Sequence, residues 1–192
     1  MAAPVLTPIP SACVIVLSEP PLEVLMMRRH AQASFVPDAW VFPGGAVEAI
    51  DRERADGDLL NTMRYCAARE LAEEVGISLG EPLDLEKLVW TSRWITPAGL
   101  PKRFDTYFFL TVVDRDVVAV ADQREAVDVI RISPALAIER SLRGEFPIVF
   151  PTLKNLEALV GFGSAQELID SRRDAVIEPV EPILVNGKPA LR

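Results

Sequence analysis

Near the start of the chain the apolar positions gather into two short runs, Ser11 to Leu17 and Leu22 to Met27, separated by Ser18-Glu19-Pro20-Pro21. Their apolar, β-branched or methionine-rich composition, with turn formers between them, predicts two strands joined by a turn. From Ala31 to Ala39 the periodicity fades, and Trp40-Val41-Phe42 then runs into Pro43-Gly44-Gly45. That is a strand giving way to a loop in which glycine supplies backbone freedom. Asp51 to Gly57 reads as a charged, polar connection, whereas Asp58 to Val75 has no proline or glycine and is rich in Leu, Ala, Glu, Arg and Met, the composition of a helix. Asp58 suits its N-cap and Gly76 its left-handed stop.

Leu88 to Ile95, Thr106 to Val113 and Val127 to Ile132 are dominated by β-branched, aromatic or aliphatic residues and predict further strands of a central sheet. Pro134 to Leu142, Pro151 to Val160 and Ala165 to Arg172 read as helices, the first two opening with proline in the first turn. From Ile177 the tail alternates apolar residues with three prolines and predicts extended chain. No repeat, low-complexity tract or linker interrupts the sequence, which points to one α/β domain.

Composition narrows this picture. With 49% hydrophobic residues, 192 residues can bury one substantial core. The longest apolar stretch of the first half, Ala12 to Leu17, is far shorter than the roughly 20 residues that span a bilayer, so no membrane association is expected. The opening MAAPVLTPIPSAC has neither a positive start nor a long apolar stretch, which favours a cytoplasmic location over export. Cys13 and Cys66 give neither a disulfide framework nor a zinc spacing, and His30, the single histidine, cannot build a histidine metal site. Any metal would depend on carboxylates. The 28 acidic against 20 basic side chains, a net charge of −8, work against sequence-blind binding of a nucleic acid polymer.

The candidate chemistry lies in Arg69-Glu70-Leu71-Ala72-Glu73-Glu74-Val75-Gly76. Three carboxylates at i, i+3 and i+4 project from one helix face, opposite an apolar stripe of Ala67, Ala68, Leu71 and Val75. Like charges this close repel unless a cation neutralises them, and oxygen-only ligands suit magnesium or manganese. An ordinary solvated helix face is the plain alternative. Upstream, Pro43-Gly44-Gly45 followed by Glu48 and Asp51 supplies a glycine turn whose amides and carbonyls can face the same carboxylates.

With these residues in place the chain resembles the nudix family, whose box reads Gly, five residues, Glu, seven residues, Arg-Glu, an aliphatic, any residue, Glu-Glu, any residue, Gly and an aliphatic. Gly45 opens it, residues 46 to 50 are the five spacers, and Arg69 to Ile77 match the second half at every defined position. Asp51 stands where the family has Glu, and residues 52 to 68 make 17 spacers instead of seven, an insertion of 10. The resemblance implies a nudix-like α/β/α sandwich with a mixed central sheet over residues 1–192, with a box at 45–77 and a helical extension at about 133–173. It implies an Mg2+- or Mn2+-dependent hydrolase of phosphoanhydride bonds. Glu70, Glu73 and Glu74 would bind the metal, the Gly45 carbonyl would add a ligand, and Arg69 would orient a neighbouring acid. A further acid is expected on the loop Ala121 to Glu125, with Glu125 preferred over Asp122 as base.

The substrate implied is a small nucleoside diphosphate conjugate. The enlarged box, Phe35-Val36-Pro37, Trp94-Ile95-Thr96-Pro97 and Phe150-Pro151-Thr152-Leu153 are similar to a subgroup that includes a peroxisomal coenzyme A diphosphatase, while only fragments of the upstream coenzyme A motif stand at Leu25 to Arg29. Two distant cysteines cannot build the zinc ribbon of NADH-cleaving relatives. Arg29, Lys102 and Arg103 are candidates for the substrate phosphates, and Trp94 and Phe104 for stacking on a base, with strand-end core packing as the alternative. Asp105 reads as a local partner of Arg103. A nucleoside triphosphate pyrophosphohydrolase and a non-catalytic nucleotide-sensing module remain as alternatives. The apolar, proline-rich tail from Val176 to Leu191 can pack on a second copy, giving a homodimer, or on its own domain.

Overall fold

In a computed structural model of the chain, residues 6–33 and 35–191 are described; the outermost ends of the expected 1–192 domain lie outside them. The chain runs β1 (Ile9–Ser18), β2 (Glu23–Arg29), β3 (Trp40–Val41), β4 (Gly44–Ala46), α1 (Ala49–Arg54), α2 (Leu59–Val75), β5 (Val89–Ile95), β6 (Phe104–Val112), β7 (Ala126–Ile132), α3 (Pro134–Leu142), α4 (Phe150–Leu159), α5 (Ala165–Arg173), β8 (Pro179–Val180), β9 (Ile183–Val185) and β10 (Lys188–Ala190). Eight strands form a mixed sheet in which β1 runs parallel to β6 while β1 and β2 pair antiparallel only at Leu17 with Val24 and Ser18 with Glu23. Beyond that short hairpin the two strands part. β3 pairs with β2, and β4 pairs with β1 through Ser11, Ala12 and Cys13. The segment from Trp40 to Ala46 therefore fills the gap, and the glycine turn sits in the middle of the sheet.

Alternation along β1 divides the core. Ala12, Val14 and Val16 face α2, where Met63, Cys66, Ala67, Leu71 and Val75 cover them. Ile15 and Leu17 face the opposite layer, closed by Leu156 and Leu159 of α4 and Leu168 and Ile169 of α5. Each such aliphatic side chain, buried fully, contributes about 1.5–3 kcal/mol, so both helical layers are held firmly to the sheet. The result is the expected α/β/α sandwich.

Helix α2 begins and ends on the expected signals: the Asp58 carboxylate accepts from the Asn61 amide at 2.7 Å, and Gly76 closes the helix at φ 71°. The stretch before it differs from expectation. Ala49–Arg54 is helical, because the Glu48 amide donates to Asp51 Oδ2 at 2.9 Å in a capping box that opens a run containing Ala, Arg and Glu, all good helix formers. The inserted residues are thus shared between α1, a tight turn through Asp56 and Gly57 at positive φ, and the first turns of α2, instead of forming a longer loop. The tail packs on its own domain: β8 joins β5 in parallel and Arg103 pairs with Glu181 at 2.6 Å, while β9 and β10 form a small hairpin. Among the described residues no helix is long and apolar enough to cross a membrane.

Candidate active site

The last two turns of α2 lie against the glycine turn. Glu74 is almost fully buried; the Gly44 amide donates to its Oε2 at 2.8 Å, while Oε1 is buried with no hydrogen-bond partner. Glycine is needed at both turn positions because of close approach. A β-carbon at Gly44 would press on the backbone of Ala12 and Cys13, and one at Gly45 would overlap the Glu70 carboxylate. The Gly45 carbonyl faces the Cys66 thiol at 3.5 Å. Burial pushes the Glu74 carboxyl up to about 8, with the Glu70 and Glu125 charges adding to the rise and the Gly44 amide opposing it. Burial also raises Glu70, against the opposing pull of Arg69. Both cysteine thiols are raised chiefly by burial and so stay protonated.

Arg69 is the hub of this corner. Its Nε and Nη2 hold the two oxygens of Asp51, its Nη1 holds Glu70 at 2.9 Å and Glu73 at 3.0 Å, and Nη2 also donates to the Ala46 carbonyl at 3.1 Å. Burial works against its charge, but the Asp51 hydrogen bond and the Glu70 and Asp51 charges outweigh that and raise its pKa. One side chain therefore ties α1, β4 and α2 together.

The loop before β7 closes the cleft. The Asp122 amide donates to the Glu74 carbonyl at 3.0 Å, and Asp122 Oδ1 accepts from the amides of Arg124, Glu125 and Ala126 at 3.1, 3.0 and 2.9 Å. Asp122 is thereby occupied in shaping the loop. Glu125 is exposed and lines an open cleft with Glu70, Glu73, Glu74, Asp122 and Arg124. The structure thus brings together Gly45, Arg69, Glu70, Glu73, Glu74 and Glu125. Arg124, which sequence reasoning passed over, stands in the same lining; its adjacency to Glu125 was the available signal.

The expected phosphate-binding cations are not gathered. Arg29 ends β2 with its charge acting on Glu74, and its Nε donates to the Phe35 carbonyl at 3.2 Å. Lys102 lies over the Phe104 ring, 5.0 Å from its centre. Arg103 must be corrected: it is 6% exposed and spent on the Thr96 and Leu6 carbonyls, both at 2.8 Å, and on Glu181. It fastens the β5–β6 turn to both chain ends and has no free face for a phosphate. Asp105 pairs with Arg93, at 2.8 and 2.7 Å, and not with Arg103. Trp94 is core, packed edge-on to Phe150.

Among the described residues, no three His, Cys, Asp or Glu side chains are gathered as a ready coordination set. The donor chemistry nonetheless fits a hard divalent cation: oxygen ligands only, one of them the buried, unpartnered Glu74 Oε1.

A mixed sheet between two helical layers, with a glycine turn set against an acidic helix end, defines a recognisable class. The chain belongs to the NUDIX domain family, whose model matches residues 7–145. It is 26% identical over 180 residues to the Caenorhabditis elegans protein named as nudix hydrolase 7, covering 78% of this chain and 59% of that protein. It is 25% identical to acyl-coenzyme A diphosphatase NUDT19 of Gallus gallus, covering 83% of this chain and 66% of that one. The chain therefore spans less than two thirds of the length of either relative. A crystal structure of a NUDIX hydrolase from Alicyclobacillus acidocaldarius superposes with a TM-score of 0.78 at 25% identity, covering 88% of this chain and 99% of that one.

Proposed function

We propose that the chain is a hydrolase using magnesium or manganese to split a phosphoanhydride bond in a nucleoside diphosphate linked to another group, with coenzyme A or an acyl-coenzyme A as the favoured conjugate. The observation that carries this reading is Glu74, a buried carboxylate with one oxygen on the Gly44 amide and the other unpartnered, in one cleft with Glu70, Glu73 and Glu125. Glu70, Glu73 and Glu74 would hold the cation, with the Gly45 carbonyl as a further ligand. When bound, such a cation polarises phosphoryl oxygens and lowers the pKa of water.

The chain's own residues supply the remaining parts. Glu125, exposed in the cleft lining, would accept the proton of the attacking water, a contribution of about 10²- to 10⁴-fold in this role. Arg124 and Arg29 offer guanidinium groups to phosphate oxygens, offsetting an otherwise acidic field. Asp51 and Arg69 hold loop and helix in register, so that Glu70 and Glu74 stay against the glycine turn. Similarity to the chicken acyl-coenzyme A diphosphatase over 83% of this chain supports the coenzyme A preference.

The test is product release with magnesium and then with EDTA, across coenzyme A, acyl-coenzyme A, ADP-ribose, NADH, diadenosine polyphosphates and nucleoside triphosphates. Magnesium-dependent cleavage of coenzyme A or its acyl forms at the highest kcat/KM is expected. Cleavage confined to triphosphates would overturn the conjugate assignment, and nucleotide binding without turnover anywhere would overturn the enzyme.

A further inference from the structure

A second concavity, lined in part by Asp51, Arg69 and Glu73, adjoins the acidic cleft. It runs along the outer stripe of α2, where Tyr65, Ala68 and Ala72 follow one another at helical spacing, between α1 on one side and the segment 78–83 on the other. Its volume of about 430 Å³ falls in the range of small-molecule sites, roughly 300–1,000 Å³. The lining is mixed, with Ala68, Ala72, Leu79 and Leu83 standing among six charged side chains, and Ile50 of α1 opens onto it 42% exposed, an aliphatic side chain left to solvent. Glu73 lines both this groove and the acidic cleft, so the two adjoin at that side chain. Arg54, Tyr65 and Ala68 fall among the 17 residues of the enlarged spacer, so the spacer contributes to this wall.

Charge decides what the groove can take. Glu48 and Glu81 stand on its edges against Arg54, because the Arg69, Asp51 and Glu73 charges are spent on one another. A phosphorylated nucleoside would be repelled there. A neutral arm would bury apolar surface against Ile50, Ala72, Leu79 and Leu83 and meet no like charge.

We infer that this groove is the specificity subsite for the group linked to the diphosphate, and that it takes a neutral, largely apolar acyl or amide-linked arm. The inference rests on the proposed hydrolase reading and extends it: the enlarged box selects substrates by what lies beyond the diphosphate. Catalysis and selection then meet at Glu73.

Binding of octanoyl-coenzyme A and of ADP-ribose is measured by calorimetry in EDTA, where catalysis is suspended, and kcat/KM for both is measured with magnesium. The proteins compared are the native chain and its Ile50→Glu, Ile50→Leu and Ala72→Gln variants, all at solvent-exposed positions. The native chain is expected to bind octanoyl-coenzyme A at least about tenfold more tightly than ADP-ribose, since every 1.4 kcal/mol is a factor of ten. Ile50→Glu and Ala72→Gln should close that gap and lower the octanoyl-coenzyme A to ADP-ribose ratio of kcat/KM through KM, while Ile50→Leu keeps both. Equal affinity of the native chain for the two ligands, or equal losses on both in the variants, would overturn the subsite. A binding preference that persists and responds to the variants, with no turnover of any conjugate, would support the subsite and remove the hydrolase reading instead.

Discussion

The Arg69 guanidinium grips Asp51 with two parallel bonds, Nε to Oδ1 at 3.1 Å and Nη2 to Oδ2 at 3.0 Å, and the Asp51 side chain is only 2% exposed. This pair joins the start of the enlarged box to the acidic end of α2. Removing one partner of a buried pair leaves an uncompensated charge, at a cost of about 3–5 kcal/mol. Asp51→Asn should therefore lower the urea-unfolding free energy by about 3 kcal/mol, and Asp51→Glu, which keeps the charge, by less. A loss under about 1 kcal/mol for Asp51→Asn would mean that Glu70 and Glu73 satisfy Arg69 without it.

Glu74 makes stability depend on pH and on cations together. Its carboxyl is pushed from 4.5 up to about 8 by folding, so between those values the folded chain keeps a proton that the unfolded chain has released. Without cation, the Glu74 contribution to stability should be fully present below about pH 4.5 and be lost as pH rises towards 8. In EDTA the Tm should fall from pH 5 to pH 8, and magnesium should restore it at pH 8 far more than at pH 5, because a cation binds the ionised carboxylates of the folded state. Glu74→Gln should flatten both responses and cut kcat by more than about 10²-fold, since it removes the anionic ligand. A native Tm profile in Glu74→Gln would assign the titration to another group.

Two acids on one loop are expected to separate cleanly. Glu125→Gln should lower kcat by about 10²-fold or more and leave stability within about 0.5 kcal/mol, because its exposed carboxylate has no side-chain bond among the described residues. Asp122→Ala should cost about 1–2 kcal/mol by freeing three loop amides, with kcat falling through the displaced Glu125. Parallel thermal melts and rate measurements distinguish them; the reverse pattern would make Asp122 the base.

The arginines divide in the same manner. Arg103→Ala should destabilise the fold by about 3 kcal/mol, because it strips three partners from a buried guanidinium, while KM measured on the folded fraction stays near native. Arg124→Ala should raise KM for the diphosphate conjugate about tenfold with Tm unchanged, the loss of one charge-assisted bond. Should Arg103→Ala raise KM at native Tm, its assignment to packing would be wrong.

Much of the fold was legible along the chain because its cues are local. Asp58 and Gly76 bracket α2 by capping and by a left-handed stop, and Pro134 and Pro151 mark helix starts through their fixed φ. The box was equally legible, since the spacing of Glu70, Glu73 and Glu74 puts them on one face wherever the helix lies.

What sequence could not decide depended on partners far away along the chain. Asp51 is buried because Arg69, 18 residues on, grips it, and Arg103 is structural because Leu6 and Glu181 converge on it from opposite ends. Arg103 and Arg124 look alike in sequence; only packing consumes the first and leaves the second at the cleft. The sequence by itself determined the helix, its three carboxylates and the glycine turn, because these follow from nearest-neighbour backbone preferences. The tertiary structure alone decided which charges are buried, which are spent on other charges and which stay free, because burial and long-range pairing are properties of the packed chain.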